Sequence, residues 1–335
     1  MLTRNLIKEL SEKYLVDAVY FSYKNHVIDS SLKAVSITSF KAGNVNSLRE
    51  IKHHPIFTRR FNKHILNYLK SIINLYDILF FDFTQAGLYS LFLEHPYKVI
   101  RCHDILYQKF SRKDVLFRGW VKKTEKKILD SVNKIFVLSQ KDADIVKNIY
   151  NHNSCFVHER IPDFTFYNID EVKNDFLFFG LWSRKENANG LNWFIENVMP
   201  LIPADKEINF HIIGAGLPKK LENKYHKYKN IDYPGFVEKP LDVIYRSRAV
   251  IAPLFTGAGV KIKVIDAFTT GTPVIGTEIA FEGLPSIKEL SILANLPEEY
   301  RDKIVNFPNL SSTEKEKNAN LFKGQYENNY LVDAL

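Results

Sequence analysis

Short apolar runs alternate along this chain with longer stretches whose apolar residues recur every three or four positions. The runs at 18–22, 35–39, 77–82, 98–102, 134–139, 175–180, 208–213 and 249–254 predict strands. Between them, helical spacing predicts amphipathic helices over 1–15, 56–73, 118–131, 140–149, 189–198 and 241–247. In the 56–73 stretch one side carries Ile56, Phe57, Phe61, Ile65, Leu66, Leu69 and Ile73, and the other carries Arg59, Arg60, Lys63, His64 and Lys70. That face fits either a membrane surface or the solvated outer layer of an α/β sheet. Strand and helix alternate throughout, so the sheets are expected to be parallel, and there are two of them. Both signals lapse between residues 160 and 172. The expected division is a first domain over 1–165, a second over 166–320 and a terminal helix over 321–335.

Residues 256–277 condense this pattern. A strand at 249–254 runs into Gly257-Ala258-Gly259. Val260, Val264, Ala267 and Phe268 then follow at the spacing of one helix face, and Gly271-Thr272-Pro273 stops the helix before a strand at Val274-Ile275. Backbone N–H groups at such a turn, with the positive end of a helix behind them, form a phosphate seat. Lys261 and Lys263 fall where the helix dipole otherwise disfavours cations, which makes sense beside a bound anion. Asp266 is the acid placed to meet a sugar hydroxyl. A Gly-x-Gly connection that binds nothing remains the plainer alternative.

Composition narrows the class. The chain has 335 residues, 45% hydrophobic and 25% charged, which suits a globular protein of two ordinary domains. No stretch approaches the apolar length of a spanning helix, and Met1-Leu2-Thr3-Arg4-Asn5 lacks a signal-peptide core, so a cytoplasmic location is expected. The two cysteines, Cys102 and Cys155, each sit in an apolar run and are expected to be buried thiols. Charge is uneven: residues 1–165 hold 26 Lys/Arg against 16 Asp/Glu, and the remainder 20 against 22. A basic first half suits a phosphorylated acceptor or peripheral contact with an anionic membrane. The lysine-rich helices lack the interleaved stacking aromatics of a nucleic-acid binder. His53, His54 and His158 have no partners at metal-ligand spacing.

In the second half, Phe178-Phe179-Gly180, Asn187-x-x-Gly190-Leu191-x-Trp193-Phe194 and Pro200 resemble the opening of the nucleotide-sugar domain of GT4-like glycosyltransferases. Ile212-Ile213-Gly214-x-Gly216 and Gly235-Phe236-Val237 resemble the next landmarks. The run from Gly257 to Ala267, followed by Gly271-x-Pro273-Val274-Ile275 and Glu282-Gly283-Leu284, resembles the donor-binding signature. The first half matches more loosely, through His103-Asp104 and the helix of Glu125.

The resemblance implies an α/β fold of GT-B architecture, two Rossmann-like domains facing a cleft, with a nucleotide-diphospho-sugar held mainly by the second. It implies that Phe236 and Val237 border the base and that Asp266 stands where relatives keep a ribose-binding glutamate. Gly257, Ala258, Gly259, Val260 and Lys263 would hold the diphosphate or sugar, with Gly214 and Gly216 and Lys185 nearby. Arg184 or Lys185 would steady the leaving diphosphate, and His103 would reach the donor sugar. The implied activity is a retaining transfer to a hydroxyl of a glycan or lipid-linked glycan in surface polysaccharide assembly. No cofactor is implied beyond the donor, and no Asp-x-Asp is present to hold a metal.

The pattern departs from relatives in three places. Of their two glutamates eight positions apart, the first falls at Ala258 and the second at Asp266. Relatives also open with a strand and a glycine-rich loop, whereas this chain begins on a helix, so the first domain is expected to lack that strand; the end is equally abrupt. A non-catalytic nucleotide-sugar-binding partner subunit, or a nucleotide-sugar epimerase, are the rival readings.

Overall fold

A computed structural model describes residues 2–22, 36–41, 53–113, 115–158, 161–168, 175–257, 259–326 and 330–335. The chain divides into two units, Met1–Arg160 with Asn329–Leu335, and Ile161–Asn328. The first contains α1 (Leu2–Leu10), β1 (Asp17–Ser22), β2 (Ser36–Lys41), α2 (Pro55–Thr58), α3 (Lys63–Ile72), β3 (Leu79–Asp82) and β4 (Lys98–Cys102). It continues with α4 (Leu106–Lys113), α5 (Val115–Asp130), β5 (Lys134–Val137), α6 (Gln140–Tyr150) and β6 (Cys155–Phe156). β3, β4, β5 and β6 form a parallel sheet in that order, and β1 pairs with β2 in a separate parallel sheet.

The helix expected over 56–73 is two helices. His54 caps α2 through Nδ1, and Asn62 opens α3 by accepting from the His64 N–H at 2.8 Å. Tyr89 holds the link between them, its hydroxyl accepting from the Asn62 N–H and donating to the Arg60 carbonyl. Cys102 is buried as expected, but Cys155 is exposed: β6 is a two-residue edge strand that turns this side chain outward. Glu125 points inward from the basic α5 and accepts from the Leu106 and Tyr107 N–H groups and the Tyr150 hydroxyl, capping α4. Burial raises its carboxyl to about 7.

The second unit contains β7 (Asp175–Phe179), α7 (Lys185–Asn197), β8 (Asn209–Ile213), α8 (Lys219–Tyr225), β9 (Ile231–Gly235), α9 (Pro240–Arg246) and β10 (Ala249–Ala252). After them come α10 (Ile262–Thr269), β11 (Val274–Gly276), β12 (Ser291–Leu293), α11 (Pro297–Val305) and α12 (Ser312–Tyr326). Its six strands are all parallel, in the order β12-β11-β10-β7-β8-β9. Phe176, Leu177 and Phe178 of β7 and all four residues of β10 are buried, as continuous apolar strands covered on both faces must be. In place of a single helix over 321–335, α12 starts at Ser312 behind a Ser311–Glu314 capping box, and among the described residues the short α13 (Leu331–Ala334) follows it, within the first unit. None of the described helices is long and apolar enough to cross a membrane.

Candidate functional site

The strand order of the second unit fixes where a ligand can sit. From β7 the chain steps outward to β8 and β9, then returns to place β10 against the other side of β7 and steps outward again to β12. Order reverses between β7 and β10, and in open α/β sheets a ligand occupies the crevice beyond the carboxyl ends of the strands at such a reversal.

Glycines let the exits of these strands pack closely. A Cβ on Gly214 would come within 1.9 Å of the Gly180 carbonyl oxygen, and one on Gly190 within 2.1 Å of the Pro253 carbonyl oxygen. Trp182 pins the loop after β7 to that after β8: its Nε1 donates to the Ile213 carbonyl at 3.0 Å and its N–H to Ala215 at 2.9 Å. Gly214 and Gly216 have φ of 115° and 81°.

Beyond β10, Gly257 (φ 138°) and Gly259 (φ 69°) take left-handed conformations open to glycine; Ala258 lies outside the described residues. The loop delivers Lys261 to the N-cap of α10, where its side chain caps no N–H of the helix. Its ammonium instead turns back to the Gly259 carbonyl and lies 3.8 Å from Glu282. Only Lys263 therefore sits in the first turn, where both lysines were expected. Arg184 occupies the N-cap of α7, also without a capping side-chain bond, and Lys185 opens that helix; both are exposed. Two helix N-termini whose first N–H groups no N-cap side chain satisfies thus border the crevice, each carrying a positive partial charge.

Lys263 joins them. Its Nζ donates to Asn187 Oδ1 at 3.0 Å, and Asn187 Nδ2 donates to the Leu181 carbonyl at 2.9 Å. Burial and the nearby Lys261 charge pull its amine down to about 7. Asp266, one turn further on, is almost fully buried and makes no hydrogen bond or ion pair among the described residues. Burial raises its carboxyl to about 7, and it does not pair with Lys263 despite their spacing. A site holding an amine and a carboxyl that are both poorly solvated is primed for a ligand offering anionic oxygens to one and hydroxyls to the other. Val237 and Val260 pack against the apolar core beside α10, while Phe236 leaves 74% of its surface exposed after β9.

His103 belongs to the first unit, just past the end of β4, with its Nε2 2.7 Å from Asp82 Oδ1. The structure thus gathers Lys263, Asp266, Arg184, Lys185 and the glycines on one edge of the second sheet. Sequence reasoning left Asn187 and Trp182 without a role; their place just after a strand of buried type was the available signal.

Residues 173–307 match the model of the family "Glycosyl transferases group 1". A Klebsiella pneumoniae protein described as "Uncharacterized 44.6 kDa protein in cps region" is 26% identical over 273 residues, covering 74% of this chain and 69% of that protein. Among solved structures, WaaG, a glycosyltransferase involved in lipopolysaccharide biosynthesis, aligns with a TM-score of 0.63 at 15% identity, covering 99% of this chain and 93% of its own. A mutant of S. aureus TarM in complex with fondaparinux, alpha-GlcNAc-glycerol and UDP aligns with a TM-score of 0.64 at 16% identity over 80% of this chain. The chain spans 56% of the TarM chain.

Proposed function

We propose that the chain, whose second unit matches the group 1 glycosyl transferases and whose fold is that of GT-B enzymes, is a retaining, metal-independent transferase. It moves a sugar from a nucleotide-diphospho-sugar to a hydroxyl of a glycan or lipid-linked glycan in surface polysaccharide biosynthesis. The UDP complex of TarM, the lipopolysaccharide role of WaaG and the cps-region relative support the donor and acceptor classes.

One observation carries this reading: the hydrogen bond between Lys263 and Asn187 that joins the N-termini of α10 and α7 at the strand-order reversal. Departure of a nucleoside diphosphate builds negative charge on its oxygens. Backbone N–H groups of two helix ends and a lysine that becomes fully cationic beside that charge lower the barrier without any metal. Arg184 and Lys185, exposed at the mouth, attract the anionic donor. Phe236 offers a face to the base, Asp266 accepts from ribose hydroxyls, and His103 contributes a sugar contact. No side chain need attack the anomeric carbon, because the acceptor oxygen replaces the diphosphate on the same face.

Contact with anionic membrane is assigned to the first unit, whose α5 exposes Lys123, Lys126 and Lys127. Sedimentation with phosphatidylglycerol vesicles and not with phosphatidylcholine vesicles tests it.

The test of function is release of free nucleoside diphosphate from a panel of UDP-, GDP- and ADP-sugars, with and without polysaccharide or lipid-linked acceptors. Acceptor-dependent release identifies a transferase. Binding of a nucleotide-sugar with no release under any acceptor identifies the partner-subunit reading, and sugar isomerisation without release identifies an epimerase.

A further inference from the structure

Asp82 ends β3, and its register partner on β4 is Arg101. His103 stands two residues beyond Arg101, so the strand's alternation brings it back to the same face. Asp82 Oδ1 accepts from Arg101 Nε at 2.9 Å and from His103 Nε2 at 2.7 Å. Burial pushes the Asp82 carboxyl up, but the Arg101 charge and the His103 hydrogen bond outweigh it and keep it an acceptor-only carboxylate, below the usual range.

A second feature fixes the same ring. Phe83, directly after Asp82, adopts φ 78°, a left-handed conformation that strains a residue with a Cβ. The strained turn lays its ring on the imidazole, with centroids 3.8 Å apart and planes 13° from parallel, while the Arg60 guanidinium sits 5.3 Å from the Phe83 ring centre. Stacking sets the tilt of the imidazole, and Asp82 sets its rotation. The ring is nine-tenths buried, and among the described residues its Nδ1 has no hydrogen-bond partner.

An ionised carboxylate can only accept, so Nε2 carries the proton and, in the neutral ring, Nδ1 keeps its lone pair. A buried acceptor without a donor is a defect that folded proteins rarely leave unexplained. The group that satisfies it must be an N–H or O–H, and the carboxyl end of a parallel strand is where an α/β sheet presents such groups to a ligand. We propose that Asp82 is a positioning residue, holding His103 as the Nε2–H tautomer so that Nδ1 accepts a hydrogen bond from a carbohydrate hydroxyl. The proposal rests on reading the chain as a sugar transferase.

The full chain labelled with 15N-histidine tests it by long-range proton–nitrogen correlation, with the His103 signals identified by their loss in His103→Gln. The wild-type ring is expected to show a protonated Nε2 and a bare Nδ1. Asp82→Ala is expected to give a mixture of tautomers and a roughly 100-fold fall in kcat/KM. Asp82→Asn, whose amide oxygen can stand where Oδ1 stands, is expected to restore both. A wild-type ring protonated at Nδ1, or a ring and a kcat/KM unmoved by Asp82→Ala, overturns the proposal. Should Asp82→Ala fail to fold because Arg101 loses its partner, Asp82→Ala with Arg101→Met replaces it, and the wild-type spectrum decides by itself. A chain that transfers no sugar while showing the expected tautomer removes the transferase reading and with it the hydroxyl, but leaves the positioning role of Asp82 intact.

Discussion

Replacing Asp266 by Asn should make the ligand-free protein more stable and a worse binder. Burial raises this carboxyl from 3.8 to about 7, with no partner to offset it. Between those two values the folded chain holds a proton that the unfolded chain has released. Stability contributed by the neutral acid is therefore lost as pH climbs through the window. A rise of that size sets a ceiling of about 4 kcal/mol by pH 8. Asn has the same shape and no charge to desolvate. Urea unfolding from pH 4 to pH 8 should find the two proteins alike at the acid end, with Asp266→Asn ahead by about 2–4 kcal/mol at pH 8. Lys263, lowered from 10.5 to about 7, tilts both curves the opposite way above neutrality, so the difference between proteins is the quantity to read. In exchange, nucleotide-sugar affinity should fall about tenfold, since a poorly solvated acid tolerated in a folded site is held there for a ligand. A variant no more stable than wild type at pH 8, or a difference that ignores pH, refutes this reasoning.

Gly190→Ala forces a Cβ to within 2.1 Å of the Pro253 carbonyl oxygen and should drive α7 away from β10. Urea unfolding should register a loss of about 3 kcal/mol or more, and UDP titration the loss of binding. Phe236→Ala removes an aromatic face that touches little of the fold, so its melting curve should match wild type while UDP affinity drops about tenfold; unchanged affinity would remove the base contact from the account.

Much of this fold was legible because buried parallel strands leave continuous apolar runs. The run at 98–102 became β4 without adjustment, and the unit from β10 through α10 to β11 lies where Gly-x-Gly and Gly-x-Pro bracket it. Boundaries slipped where a single polar atom decides them, as at Asn62. α12 was missed although Ser311-Ser312-Thr313-Glu314 displays a capping box, because no apolar stripe follows it. Lys315 was beyond sequence reasoning. It reads as one more solvated charge, yet it is fully buried, donating to the Tyr245 and Ser247 carbonyls and packed against Gly271. The candidate site divides in the same way. Lys263 and Asp266 stood out by charge at a helix start, whereas the use of Lys261 on its own loop and the grip of Asp82 on His103 depend on contacts between segments far apart in the chain.

Proton uptake on binding UDP tests the central claim most directly. Free Lys263 is largely neutral at pH 8, and a diphosphate seated against it must return it to the cation. Calorimetric titration of UDP at pH 8 in two buffers of different ionisation enthalpy should show uptake approaching one proton per UDP bound, and Lys263→Ala should lose both that uptake and most of the affinity. UDP that binds wild type without taking up a proton, or binds Lys263→Ala as tightly, would contradict a diphosphate seat at this lysine.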